Sequence, residues 1–442
     1  MGPEWRTVRI GDLGGVVTGR TPPGNDPSYY GDSVPFLTPT DMNDLRRVER
    51  TERFLSNLGA TELARCLVPQ GVGVSCIGWQ MGKAILIDRP TVTNQQINSI
   101  IVDGGVADRT FVYYSLQARR SELFNLGAGG SRTPILNKGD FERLPFLLPP
   151  LRDQHAIAHI LGSLDDKIEL NRRMNETLDA MARALFKSWF VDFDPVRAKV
   201  DGRKPSGMDA ETVSLFPSEF VESGLGAIPK GWEVGTLGML GELAIGGDWG
   251  EDEAFEGAVD ACCLRGVDLE HLRQSGHASV PHRWFKPSSL ERRAMDDRDV
   301  LVAGSGAGPT GRPLWMCADL LQALGPCVYS NFCKRIRCGT AAKAVYLDAW
   351  LHGMRESGEI WEHVNGTSVP NLDANSLLAG KEIPLPPVPV LDRYHDFVRP
   401  IWQELYAGQN RTLADLRDAL LPKLLSGELR GDYALGITEA IA

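Results

Sequence analysis

The chain has no run of about 18 uncharged apolar residues, so no segment is expected to cross a membrane. Its first residues show no basic stretch leading into an apolar core, so no secretion signal is expected and the reading is cytoplasmic. No glycine-rich loop ends in Gly-Lys-Ser/Thr, which removes the usual sign of an ATP motor. No Asn/Asp-Pro-Pro-aromatic methyltransferase signature occurs, since Leu148-Pro149-Pro150 lacks the leading amide or acid. The eight cysteines contain no Cys-x-x-Cys, and the set Cys327, Cys333 and Cys338 fits no standard zinc spacing. Reduced, mostly buried thiols are expected. His155 and His159 stand at i, i+4 on a helical pattern that could clamp a metal, but no acidic third ligand accompanies them. Gly306 to Gly311 matches GxGxxG literally, yet Pro309 interrupts it and no helical pattern follows Arg312-Pro313. A glycine-rich hairpin or loop is expected there. No catalytic, cofactor-binding or metal-binding residue is assigned.

Net negative charge is also awkward for a nucleic-acid partner: the formal total is −10 over 442 residues. Its distribution is uneven. Residues 1–149 carry 16 Lys/Arg against 15 Asp/Glu, whereas residues 229–384 carry 15 against 21, with Glu251, Asp252, Glu253 and Glu256 clustered. Any phosphate neutralisation must come from local patches or from a partner.

What the chain does contain, it contains twice. Glu4-Trp5 through Asp12-Leu13-Gly14 returns in register as Gly231-Trp232 through Leu240-Gly241. Gly130-Ser131-Arg132-Thr133-Pro134-Ile135-Leu136-Asn137 returns as Gly366-Thr367-Ser368-Val369-Pro370-Asn371-Leu372-Asp373, and Leu148-Pro149-Pro150 as Leu385-Pro386-Pro387. The unit is far longer than a solenoid repeat, so it reads as a duplicated domain with a helix after each copy. Trp5 and Trp232 read as core anchors.

Within the first copy, Val72–Ile77 and Lys83–Asp88 predict paired strands, Gln96–Val102 another strand, and Thr110–Asn125 a helix. From Asp153 to Trp189, apolar residues recur in alternating steps of four and three: Ile157, Leu161, Leu164, Ile168, then Leu178, Ala182, Leu185 and Trp189. Asn171 and Asn175 fill the two central steps, the pattern of a coiled coil whose register is fixed by buried amides. Such a helix would be roughly 55 Å long and needs a partner. A second, less regular seam through Val398, Leu405, Leu413, Leu416, Leu420 and Leu424 supplies one, with a kink expected at Pro400. The expected division is a domain at 1–149, a spacer helix at 150–190, an extended linker at 191–228, a second domain at 229–384, a C-terminal spacer helix at 385–430 and a loose tail at 431–442.

Ile157-Ala-His-Ile-Leu-Gly-Ser-Leu-Asp-Asp-Lys-Ile-Glu-Leu-Asn171, then Leu185-Phe-Lys-Ser-Trp-Phe-Val-Asp-Phe-Asp-Pro195, resembles the central helix of specificity subunits of Type I restriction-modification systems. Leu420-Leu-Pro-Lys-Leu-Leu-Ser-Gly-Glu-Leu429 is similar to the end of their second helix, and Asn94–Ile97 and Tyr329–Phe332 to strand segments of their target recognition domains. The resemblance covers nearly the whole chain, in order, and departs only in the acidity of the second domain. It implies an α+β fold: two similar α/β target recognition domains separated by two long antiparallel coiled-coil helices, as a pseudo-twofold internal repeat. It further implies that each domain reads one half of a split, asymmetric double-stranded DNA target, and that the helix pair sets the gap. Two methyltransferase subunits, carrying S-adenosylmethionine, would dock on the chain. Two restriction/translocase subunits, using ATP and Mg, would join where the system has them. The chain itself would be non-catalytic and hold no cofactor.

Base readout needs forked donors or acceptors on loops that reach a groove. Candidates in the first copy are Arg20, Thr21, Tyr29, Tyr30, Trp79, Gln80, Ser131 and Arg132. In the second they are His282, Arg283, Lys286, Ser305, Thr310, Arg312, Lys334 and Arg335. Leu161, Leu164, Ile168, Asn171, Asn175, Leu178, Leu185, Leu405, Leu416 and Leu420 are assigned to helix pairing. The aromatic excess at Phe186, Trp189 and Phe190 points to a face that receives a methyltransferase, so Phe190→Asp is expected to weaken assembly without unfolding. Two other readings stay open. One is a specificity subunit of a methylation-only or related phage-defence complex; the other is a coiled-coil scaffold with no DNA role. A small-molecule enzyme site at Gly304–Gly311 would require tight nucleotide binding by the isolated chain.

Overall fold

The computed structural model describes residues 5–23, 26–42, 46–48, 50–128, 134–276, 278–306, 308–366, 368–406 and 409–429. The chain forms two compact units, one from Met1–Ile168 with Leu413–Ala442 and one from Glu169–Thr412. Among the described residues no helix is long and apolar enough to cross a membrane.

In the first unit Arg6–Arg9 pairs antiparallel with Pro145–Leu148, setting Val8 opposite Phe146. A 3-10 turn, Ile10–Leu13, then buries Ile10 and Leu13 and leads into a four-stranded antiparallel sheet. Its order is Gly14–Thr18, Ile97–Val102, Gly71–Ser75, Ala84–Ile87. The last two strands are buried throughout, which is why they read as continuous β-branched and aliphatic runs rather than alternating ones. Helix Arg109–Ala118, capped by the Asp108 carboxylate, packs Phe111, Val112 and Leu116 into the same core. The predicted helix over 110–125 is two helices, because the chain breaks at Arg119 before Arg120–Gly127. A five-stranded sheet completes the unit, with one parallel pair, Val34–Leu37 beside Thr91–Thr93.

The second unit repeats this order. Glu233–Thr236 pairs with Glu382–Leu385, and a 3-10 turn, Leu237–Met239, follows. The four-stranded antiparallel sheet runs Gly241–Leu243, Cys333–Cys338, Asp299–Ala303, Pro313–Trp315. The second sheet shrinks to three strands but keeps the parallel pair, here Val259–Leu264 beside Cys327–Tyr329. The repeated Asn137 and Asp373 turn out to do the same work. Each accepts a hydrogen bond at the start of a helix, from the Asp140 and Ser376 backbone N–H respectively.

Helix Leu151–Phe186 spans 36 residues and ends in one π turn, Lys187–Val191. In the first unit its Ile157, Leu161 and Leu164 pack in one core with Leu413, Leu420 and Leu424. In the second unit its Ala182, Phe186, Trp189 and Phe190 share a core with Val398, Trp402 and Leu405. The C-terminal seam is carried by two helices, Val388–Leu405 and Gln409–Leu425, and Pro400 lies inside the first. The stretch read as an extended linker is folded. It holds helices Asp194–Val200 and Ala210–Ser214 and a hairpin of Phe220–Ser223 with Gly226–Pro229. Phe193, Val196 and Phe216 are buried there in the second core, which outweighs the local Pro and Gly content. The architecture is therefore α+β: two similar α/β units and long helices that pack into their cores. The tail from Gly431 lies outside the described residues.

Candidate functional site

One corner of each unit is tied by the same set of main-chain bonds. In the first, the Cys76 N–H donates to the Gln96 carbonyl at 2.7 Å, Gly78 to Pro134 at 2.9 Å and Leu136 to Cys76 at 2.8 Å. In the second, Gly304 donates to Phe332 at 2.6 Å, Gly306 to Pro370 at 3.1 Å and Leu372 to Gly304 at 2.7 Å. A further strand end reaches each corner: Arg20 donates to Thr93, and Asp248 to Tyr329, both at 2.9 Å. Gly78 and Gly306 occupy the equivalent turn position with φ of 89° and 111°, where a side chain would be strained. Gly19 and Gly247 permit the close approach, since a Cβ would stand 2.2 Å from the Thr93 carbonyl oxygen and 2.3 Å from that of Ser330. The literal GxGxxG at Gly306 is thus part of the loop joining two antiparallel strands.

The frame is shared, but the side chains on it are not. In the first corner Arg20 is exposed, with no ion-pair partner among the described residues, and the Thr21 hydroxyl donates to Gln95 at 2.6 Å. Trp79 is 78% exposed and Gln80 is exposed beside it. A cleft of about 370 Å³ opens next to the indole, lined by Trp79, Met81, Arg120, Ser121, Phe124 and Asn125. In the second corner Arg20 has as its counterpart Asp248, which accepts from the Ser289 hydroxyl and from the Gly250 N–H, and faces Arg293 at 4.0 Å. Burial pushes this carboxyl up, but the bonds from Ser289 and Gly250 and the Arg293 charge outweigh it and hold it below the usual range. Ser305 and Lys334 are half-buried at this corner.

Other candidates fall elsewhere or face inward. Thr310 is fully buried and donates to the Gly306 carbonyl at 2.6 Å. Arg335, on strand Cys333–Cys338, is buried, donates to Ala294 at 2.6 Å and lies over the Tyr329 ring. Arg283 is buried against Trp249, bonded to the Trp249 carbonyl at 2.6 Å and paired with Asp252. These three are held by internal contacts and are not presented to a groove in this arrangement. Arg312 faces Glu270 at 3.6 Å, and the exposed His282 meets Asp260 at 3.0 Å. Lys286 is exposed at the start of helix Pro287–Arg293. Tyr30 is in the five-stranded sheet and packs edge-on to Phe36; Tyr29 ends the short 3-10 turn before it. Ser131 and Arg132 lie outside the described residues. Phe332, 64% exposed at the second corner, was not among the sequence candidates; a large aromatic next to Ser330-Asn331 in a polar turn is the signal that could have found it.

All eight cysteines are free. Burial pushes the Cys76 thiol up to about 11 and those of Cys317, Cys333 and Cys338 up to about 12, so none of these four is poised as a nucleophile. Among the described residues no group of three or more His, Cys, Asp or Glu is placed to hold a metal.

Residues 3–180 match the family model described as Type I restriction modification DNA specificity domain. The Type I restriction enzyme MjaIX specificity subunit of Methanocaldococcus jannaschii is 27% identical over 437 residues, covering 97% of this chain and 94% of that protein. The Type I restriction enzyme HindI specificity subunit of Haemophilus influenzae is 31% identical over 346 residues, covering 67% of this chain and 71% of that protein. The chain belongs to the Type I restriction enzyme specificity subunits. The crystal structure of the S subunit from M. genitalium shares the fold, with a TM-score of 0.52 at 13% identity over 96% of this chain and 97% of that one. The family model ends at residue 180, within the long helix, so for the sheets of the second unit the repeat rests on the strand order and bonds described above.

On the helices of this specificity subunit, Leu161, Leu164, Asn171, Asn175, Leu405 and Leu420 are buried, and Ile168, Leu178, Leu185 and Leu416 half-buried. Two carboxylates on the long helix tie it to its surroundings. Asp165 accepts from the Tyr114 hydroxyl at 2.6 Å and from Arg417 at 2.9 Å. Asp179 meets Arg273 at 3.3 Å, and Arg273 also holds Asp348 at 2.9 Å. Trp189 and Phe190 do not form a free face. Phe190 is fully buried among Phe186, Trp189, Trp232, Tyr346 and Tyr394, so the expectation for Phe190→Asp is corrected to loss of the second core. The large apolar residues that helix Leu151–Phe186 does expose are Leu170, Met174 and Met181.

Proposed function

We infer that this chain supplies the address of a Type I restriction-modification complex and performs no chemistry itself. The corner of the first unit reads one half of a split double-stranded DNA target, and the corner of the second unit reads the other. The long helices fix the gap between halves and dock two methyltransferase subunits, for which the exposed Leu170, Met174 and Met181 are the fitting surface. S-adenosylmethionine, and ATP with Mg where restriction subunits join, would be bound by those partners. The observation that carries this reading is one main-chain frame dressed with different side chains, Arg20 in one corner against Asp248 in the other. Equal frames suit the same task, and unequal side chains suit unequal half-sites. Joining two weak readers in one chain raises the effective concentration of the second once the first is bound.

The test is methylation mapping by long-read sequencing in cells carrying the neighbouring methyltransferase, with and without this chain. A split, asymmetric motif that appears only with the chain is expected. An identical pattern without the chain would refute the reading and favour a scaffold that joins proteins, which the acidity of the second unit would then suit.

A further inference from the structure

The most exposed aromatic ring at each corner is Trp79 in the first unit and Phe332 in the second, where Trp249 is 37% exposed and covered by Arg283, and these two rings come from different segments of the shared frame. Trp79 follows Gly78 in the loop after strand Gly71–Ser75, whereas Phe332 precedes strand Cys333–Cys338. The two loops meet in both units, through the Cys76–Gln96 bond in the first and the Gly304–Phe332 bond in the second. Exposures of 78% and 64% are costly for rings of this size, and the core beneath neither corner needs them. Trp79 is backed on one side by Phe124, at 6.2 Å between ring centroids, which leaves its other side open. Each corner also holds a cation without an ion-pair partner among the described residues. Arg120 lines the cleft with Trp79, and Lys334 packs along Gly304, whose carbonyl-linked neighbour is Phe332.

We propose that Trp79 and Phe332 are the apolar base contacts of their respective half-sites, each ring stacking on a base exposed at a loosened step, with Arg120 and Lys334 on the flanking phosphates. This rests on the reading of both corners as DNA-contacting. An exposed ring and an unpaired cation at one corner match what nucleic acid offers together: a flat apolar base face and a charged backbone within one nucleotide. The same pairing arises from two different segments, so it is not a by-product of one duplicated loop. Polar groups at the same corners, Arg20 and Gln80 in the first unit, would read base edges; the rings would supply contact area and favour steps that unstack easily.

The experiment uses the complex assembled with its methyltransferase and a duplex carrying the mapped target, alongside duplexes with either half scrambled. Trp79→Ala is expected to weaken target binding on the order of tenfold, the scale of one base–aromatic stack. It should have no further effect when one particular half is already scrambled. Phe332→Ala should behave the same way toward the other half. Trp79→Phe should retain most of the binding. Arg120→Gln should weaken all duplexes alike and reduce the salt slope by about one. Both rings are exposed, so melting temperatures should match the parent. Binding of both alanine variants within twofold of the parent would overturn the proposal while leaving the address reading intact, as would dependence of both on the same half. A parent complex with no preference for the intact target would overturn both.

Discussion

Replacing Arg273 with Met should cost the second unit about 4 kcal/mol, the middle of the range for breaking a buried ion pair by removing one partner. The Arg273 side chain is 5% exposed and that of Asp348 is 3% exposed. The guanidinium donates to Asp348 at 3.1 and 2.9 Å and to Asp179 at 3.3 Å, and it lies 5.0 Å from the centre of the Trp402 ring. Burial works against its charge, yet Asp348 and Asp179 outweigh burial and hold its pKa above the ordinary value. Methionine keeps most of the stem packing against Trp402 but leaves Asp348 in the core with its counter-charge gone. Asp179 fares better because Arg183 also reaches it, at 3.0 Å. Since a chain of two units need not unfold in one step, the readout is urea-dependent hydrogen exchange of amides in helices Gly266–Ser275 and Ala341–Ser357. A second variant, Arg273→Met with Asp348→Leu, replaces the pair by apolar groups and should recover most of the loss. A loss below about 1 kcal/mol, as for a surface pair, would refute the reasoning. So would a double variant no more stable than the single.

Further outcomes follow from other buried groups and from the two helices. Burial, with Arg273 and Arg183 nearby, pushes the His352 imidazole down to about 2, so the folded ring stays neutral while the unfolded ring takes a proton below about 6.5. Stability is therefore complete above pH 6.5 and falls by up to about 1.4 kcal/mol per pH unit below it; His352→Gln should flatten that limb, and an equal shift of the urea midpoint between pH 7 and pH 5 in the parent and the variant would contradict this. Asn137→Ala and Asp373→Ala should each cost about 1 kcal/mol in their own unit, checked by thermal unfolding; a cost in only one copy would break their equivalence. Glu at Leu170, Met174 and Met181 together should abolish co-purification with the methyltransferase at unchanged melting temperature, whereas Phe190→Asp should lower the melting temperature itself.

The repeat was legible because the residues that build the frame are constrained by backbone geometry. The Leu-Gly that closes each 3-10 turn, the residue capping a helix after Pro134 and Pro370, and Leu148-Pro149 with Leu385-Pro386 all recur for that reason. The heptad seam was legible because its period is long and regular. The second sheets were not, since strands of two to six residues pair across distant parts of the chain and leave no local period. Charge misled in a specific way. Arg283 and Arg335 read as free donors because a sequence shows the cation but not the carbonyls of Trp249 and Ala294 that hold it. The linker misled for the opposite reason: its prolines and glycines were visible, but the distant core waiting for Phe193, Val196 and Phe216 was not.

Each corner is secured by bonds that run from amide to carbonyl and ask for side chains of a particular kind only at a few glycines. It therefore works as a socket rather than as a lock. Residues such as Arg20, Trp79 and Phe332 can be exchanged without breaking a bond that holds the socket together, and Trp79 and Phe332 can be exchanged without opening the core. A new address would then need no new fold. On the proposed reading of the corners, the stability of the chain and the sequence it selects would be separable, one set through Arg273 and its carboxylates and the other through exposed side chains such as Trp79 and Phe332.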